Sequence, residues 1–178
     1  MSRPSYRPRV LISAASRHGS TTEIARAIGN TLITKHIAVD IVPPAAVDSI
    51  EDYDAVILGS AVYEGHWVAA ARDFAIRLRD PLAARHVWLF SSGPVGDPSR
   101  KLVRSMEQDP ADVTRIKQDI SVRGHQMFAG KLDPQALSIA QRASLLVFRG
   151  MRGDFRDWAV ITQWADGIAA DLAALPQR

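Results

Sequence analysis

The chain contains no cysteine. That excludes disulfides, thiolate zinc sites, iron–sulfur clusters and a thiol nucleophile. It lacks a GxxxxGK segment ending in Ser or Thr, so no nucleoside-triphosphate P-loop is expected. It also lacks GxGxxG, the dinucleotide fingerprint. Long hydrophobic runs are missing: the apolar stretch after the basic start, MSRPSYRPR, is about five residues long, against the ~20 of a spanning helix. No secretory signal core follows that start, so the expected location is the cytoplasm, with peripheral contact at the inner membrane face as the alternative. Charge of one sign is scarce, with 22 basic residues against 19 acidic and a net charge of +3. Only four of the basic residues are lysine, and arginine favours carboxylates, phosphates and stacked rings. There is no basic run, zinc-finger spacing or aromatic-basic RNP pattern, so no nucleic-acid partner is expected. His66 and His125 have no metal-ligand spacing with anything, no acid/base constellation stands out, and neither a metal nor a catalytic side chain is assigned.

What is present is a well-filled globular chain. Its 178 residues are 47% apolar, which suits one domain of ordinary size, 1–178. Apolar runs alternate with helical patterns. Strands are expected at Arg9 to Ala14, Ile37 to Val42, Ala55 to Gly59, His86 to Phe90 and Gln126 to Ala129. Helices are expected at Thr21 to His36, Trp67 to Arg79 and Asp157 to Leu175, with helical pieces in Leu102 to Ile120. Within the last helix Trp158, Ile161, Ala165, Ile168 and Leu172 fall in register. This alternation predicts right-handed βαβ units, hence a doubly wound α/β sheet of five parallel strands in the order 2-1-3-4-5. Ligands then bind at the carboxyl ends of the first, third and fourth strands.

The segments at those three ends are unusual. The first, Ser16, Arg17, His18, Gly19, Ser20 and Thr21, joins a strand to a helix N-terminus. Free backbone N–H groups and the helix dipole there attract a phosphate, and the hydroxyls add donors. The alternative reading is a turn in which Ser20 caps the helix with Glu23 as its capping-box partner. The second segment runs from Gly59 through Ser60, Ala61, Val62 and Tyr63 to Trp67. Tyr63 is either a ring contact or a rim aromatic, and Trp67 reads better as the buried first turn of a helix. The third, Ser91 to Pro98, includes Ser92, Gly93, Pro94, Val95, Gly96 and Asp97, with a plain turn as its alternative. A phosphate site between two Gly-Ser segments suits flavin mononucleotide, FMN: the helix end takes the phosphate, and the loops frame the flat ring.

These segments resemble the flavodoxin-like family, and within it the branch of menaquinone-dependent protoporphyrinogen dehydrogenases and related bacterial flavodoxin-domain proteins. The resemblance rests on SRHGST with Glu23-Ile24-Ala25, on Gly59-Ser60-Ala61-Val62-Tyr63 with Gly65 and Trp67, and on Trp88 to Pro94. Phe128-Ala129-Gly130-Lys131-Leu132 and Gly153 to Trp158 extend it over nearly the whole chain. It implies non-covalently bound FMN and an FMN-dependent oxidoreductase that passes electrons between an organic donor, protoporphyrinogen-like in that branch, and a quinone-like acceptor. The alternative is a non-enzymatic electron carrier. Two departures exist. The family often has an aromatic residue where Ala14 stands, which keeps open a domain that has lost FMN. Small electron-carrier flavodoxins are typically acidic, and this chain is slightly basic.

An insertion of about twenty residues, Leu132 to Arg152, precedes the last helix. Its apolar residues lie mostly on one face, with Arg142, Arg149 and Arg152 around them. Arg149, Arg152 and Arg156 are the candidate contacts for an acidic substrate, through propionate pairing or, for the insertion, lipid headgroups. An extra helix packed on the domain, with its arginines in water, is the other reading.

Overall fold

The computed structural model of the protein describes residues 7–93, 109–132 and 153–175. The expected sheet is there. Parallel strands β1 (Arg9–Ala15), β2 (Ala38–Ile41), β3 (Ala55–Tyr63), β5 (His86–Gly93) and β6 (Val122–Ala129) lie in the order β2-β1-β3-β5-β6. A short strand, β4 (His66–Trp67), pairs antiparallel with the end of β3. Setting β4 aside gives the predicted 2-1-3-4-5 order. Two further short strands, β7 (Lys131–Leu132) and β8 (Gly153–Asp154), form an antiparallel ribbon.

Both faces of the sheet are covered, which is why its strands are apolar without alternation. On one face Val10, Ile12, Ile57 and Phe90 meet helices α1 (Ser20–Thr34) and α5 (Trp158–Ala173) through Ile24, Ile28, Leu32, Ile161, Ile168 and Leu172. On the other, Leu11, Val56, Leu58 and Leu89 meet α2 (Ala69–Arg77), α3 (Arg79–Ala83) and α4 (Ala111–Asp119) through Phe74, Leu82, Val113 and Ile116. The core therefore runs as two layers, one above and one below a sheet whose carboxyl edge is left for a ligand.

β5 runs on past Phe90 to Gly93, and β6 begins at Val122 rather than at Gln126. Three further departures have a local reason. β3 does not stop at Gly59 but continues to Tyr63. It then turns back through Glu64 at φ 53° and Gly65 at φ 80°. Two positive φ values in a row make the two-residue hairpin turn whose twist suits paired strands. Trp67 accordingly sits in a strand, not in a helix. The helix expected to reach Arg79 breaks at Leu78, because Pro81 has no N–H to donate to the Arg77 carbonyl of a continuous ladder. Trp158, placed on the buried stripe by register, is 43% exposed. It is the first residue of α5, beyond the reach of the sheet.

Candidate functional site

The first segment leaves β1 and enters α1 through Gly19, whose φ of 83° makes it the helix N-cap. A side chain there would be strained in the left-handed region. No side chain caps α1. The alternative reading of Ser20 as the cap does not hold: Ser20 is the first helical residue, and its Oγ accepts the backbone N–H of Lys131 at 3.2 Å. Thr21 is 1% exposed, and its hydroxyl is buried with no hydrogen-bond partner among the described residues. A buried polar group without a partner is costly, so this hydroxyl is fitted for a partner that the described residues do not supply. An uncapped helix end with a spare buried donor fits a phosphate. Ser16 and Arg17 flank the turn, and Arg17, His18 and Gly19 are exposed there.

The second and first segments meet. The Arg17 guanidinium lies 4.5 Å from the centre of the Tyr63 ring, stacked on its face. Burial pushes the Tyr63 phenol above its ordinary value, and Arg17 opposes this in part. Ser60, Ala61 and Val62 are not loop residues. All three are buried in β3, and Ser60 Oγ donates to Ala61 O and accepts the N–H of Val68 at 2.9 Å. Their side chains hold the hairpin, and Tyr63 is the member of this set that reaches the surface.

The third segment behaves likewise at its start. Ser91 and Ser92 are buried inside β5, and Gly93 is half-buried at its end. A Cβ on Gly130 would lie 2.3 Å from the Gly93 carbonyl oxygen, so the end of β6 packs against the end of β5. Gly130 leads into Lys131, which binds Ser20. Backbone contacts thus tie the third segment to the first. Pro94, Val95, Gly96 and Asp97 lie outside the described residues, as do Arg149, Arg152 and residues 133–152 of the insertion.

Arg156 is placed differently from its expected role as a substrate contact. Its side chain is 4% exposed and is held by Asp154 at 2.6 Å and by Glu23 of α1. Its guanidinium stacks 4.5 Å from the Trp158 ring centre. The Asp154 and Glu23 carboxylates hold the guanidinium well above its usual range against the opposing effect of burial, and Arg156 holds Asp154 below the carboxylate range. With both carboxylates engaged, Arg156 clamps the β7–β8 ribbon to α1 beside the Gly19 turn.

Sequence reading missed one polar group. His125 Nε2 lies 2.8 Å from Ser91 Oγ, and its Nδ1 lies 2.7 Å from Asp109. The three positions are 16 and 34 residues apart in pairs through His125. No short motif announces them: the pairing of β5 with β6 sets His125 beside Ser91, and the chain entering α4 brings Asp109 to the other ring nitrogen. A cavity of about 630 Å3 opens at the opposite end of the sheet among Arg7, His36, Tyr53 and Arg85. Its arginines are engaged by carbonyls: Arg7 donates to His36 O and Arg85 to Glu51 O. The chemistry of the carboxyl edge is absent from it. Among the described residues no cluster of His, Asp and Glu could hold a metal, and no helix is long and apolar enough to cross a membrane.

Comparison with known proteins agrees with this architecture. No curated protein matches the chain. A flavodoxin from the domain Archaea is 15% identical with a TM-score of 0.58, over 93% of this chain and 99% of that one. A cysteine mutant of flavodoxin from Pseudomonas aeruginosa is 16% identical with a TM-score of 0.59, again over 93% and 99%. Rubredoxin oxygen:oxidoreductase from Desulfovibrio gigas is 18% identical with a TM-score of 0.57, over 94% of this chain and 37% of that one. The family profile described as flavodoxin domain matches residues 11–158. The chain belongs to the flavodoxin domain family, a membership that implies flavin-binding electron transfer.

Proposed function

We propose that this protein binds FMN and acts as an oxidoreductase, passing electrons from a small organic donor to a quinone-like acceptor. The observation that carries the cofactor reading is the Thr21 hydroxyl: buried, unpartnered, and at the uncapped start of α1. The phosphate would take the first-turn N–H groups of α1 and the hydroxyl of Thr21, with Ser16 and His18 at its rim. The ring would lie along Tyr63 and the Ser92–Gly93 end of β5. Bound FMN supplies the electron chemistry itself. The chain supplies the anion seat, the aromatic wall at Tyr63 and the cation of Arg17 stacked on that wall.

The enzyme reading over the carrier reading is supported by charge. A net charge of +3 gives little of the acidic field that steers a carrier to basic partners. The donor we propose is an acidic tetrapyrrole of the protoporphyrinogen type, as the resemblance implies, with Arg149 and Arg152 of the insertion as the candidate partners of its carboxylates. Peripheral contact with the inner membrane face would bring the protein to a lipid-soluble quinone. Two measurements test this. Mass identification of the ligand that co-purifies should return FMN; a protein purified without flavin, and unable to take it up, refutes the cofactor reading. Steady-state turnover with a soluble quinone and no partner protein should be observed. Reduction that requires a partner reductase would make the protein a carrier.

A further inference from the structure

Behind the ligand edge, residues far apart in the chain form one polar file, buried at Trp67, Ser91 and the His125 side chain and reaching the surface at Asp109 and Lys117. Trp67 Nε1 donates to Ser91 Oγ at 2.8 Å. Ser91 Oγ lies 2.8 Å from His125 Nε2, and His125 Nδ1 lies 2.7 Å from Asp109 Oδ1. Lys117 Nζ donates to the other Asp109 oxygen at 2.6 Å. Donor chemistry sets the direction of each proton, because an indole N–H only donates and a carboxylate only accepts. Ser91 therefore gives its proton to His125 Nε2, and His125 Nδ1–H donates to Asp109. The connectivity is that of a hydrolase triad. Hydrolysis does not follow, because Ser91 is 0% exposed and its oxygen is covered by the indole.

A buried imidazole has another use, as a responder to protons. A proton added to His125 turns Nε2 from acceptor to donor. Ser91 Oγ would then face two N–H groups, and its own proton would lose its acceptor. A buried donor left unpaired is costly, so the file must rearrange. Burial favours the neutral imidazole, while the Asp109 carboxylate favours the charged one. Both ring-flanking segments are tied to this file. Trp67 pairs with Val62 in the hairpin that carries Tyr63, and Ser91 directly precedes Ser92 and Gly93.

We propose that Ser91, His125 and Asp109 form a proton-responsive positioning relay: neutral His125 holds the Trp67 indole and the end of β5 in the ligand-ready arrangement, and a proton on His125 releases them. The effect on ligand rests on the flavin reading above; the effect on Trp67 does not. Among the described residues, the charged groups facing His125 are Asp109 and Lys117. A second imidazole, His66, lies 3.3 Å from Asp112, which accepts the backbone N–H of Trp67 at 2.8 Å. His66→Gln is therefore the control.

The test follows the Trp67 Nε1–H resonance by NMR in the flavin-free protein between pH 8 and 5, and the FMN dissociation constant over the same range. Wild type and His66→Gln should show a one-proton shift of the indole resonance and an affinity loss on acidification about tenfold beyond that of His125→Gln, the scale of a one-unit pKa change. His125→Gln can accept from Ser91 and donate to Asp109 without titrating; its indole profile should be flat, and its FMN affinity should fall on acidification by about tenfold less than that of wild type, because the titration of the FMN phosphate itself at about pH 6 is common to both. If His125→Gln does not fold, Ser91→Ala, which removes the link between imidazole and indole, must abolish the indole shift. A wild-type resonance that does not move, or a shift that survives in these variants, overturns the relay. A titrating relay with an FMN affinity loss no larger than that of His125→Gln overturns its effect on ligand. Absence of FMN binding at every pH beside a titrating relay overturns the flavin reading instead.

Discussion

Replacing Thr21 by valine separates what the hydroxyl does for the fold from what it does for the ligand. The two side chains have nearly the same shape, and Thr21 is 1% exposed with an unpartnered hydroxyl. In the flavin-free protein that hydroxyl is a buried polar group without compensation, a situation that costs about 1–3 kcal/mol. Thr21→Val should therefore leave the free protein at least as stable as wild type. A gain of about 1 kcal/mol would raise Tm by roughly 2–4 °C for a chain of this size. The ligand should respond in the opposite sense. A hydrogen bond to a charged phosphate contributes about 1.5–3 kcal/mol, so FMN affinity should fall roughly 10- to 150-fold. Riboflavin has the same ring and no phosphate, and its affinity should be unchanged. Thermal unfolding without ligand and fluorescence titrations with the two flavins make the assay. A variant that loses stability in the free form, or weakens FMN and riboflavin equally, refutes the assignment of Thr21 to the phosphate.

Other perturbations follow from single contacts. A Cβ at Gly59 would lie 2.1 Å from Phe90 Cζ, in a ring packed between Phe128 and Trp164. Gly59→Ala should cost about 1–3 kcal/mol of overpacking, and a loss near zero in urea unfolding would contradict it. Glu64 sits at φ 53° in the hairpin turn, where asparagine before glycine is favoured. Glu64→Asn should raise stability by up to ~1 kcal/mol, the scale of the left-handed penalty it relieves, and an unfolding midpoint that falls would refute the turn assignment. Arg156 holds Asp154 below the ordinary carboxylate value of 3.8. That stabilisation is complete above pH ~4 and is lost as pH falls through the folded-state value. Arg156→Met should therefore flatten part of the acid limb of stability between pH 5 and 2, and an unaltered limb would show the clamp to be inert.

The strands and the order of the sheet were legible because their causes are local: continuous apolar runs, helical spacing in α1 and α5, and short links that leave few topologies. The uncapped helix start proposed as the anion seat was legible as a place for the same reason, since a strand running into a hydroxyl-rich helix start is a contiguous feature. The ring-flanking segments were legible only as places. Ser60, Ala61, Val62, Ser91 and Ser92 look like loop residues in sequence, and tertiary pairing makes them buried strand, because β3 continues to Tyr63 and β5 to Gly93. Arg156 looks like a free cation, and it is committed to Asp154 and to Glu23, 133 residues away. The Ser91–His125–Asp109 file has no sequence signature at all. Periodicity records what each residue does with its near neighbours. Which distant side chains share a buried site depends on how strands are ordered and paired, and that the tertiary structure alone decided.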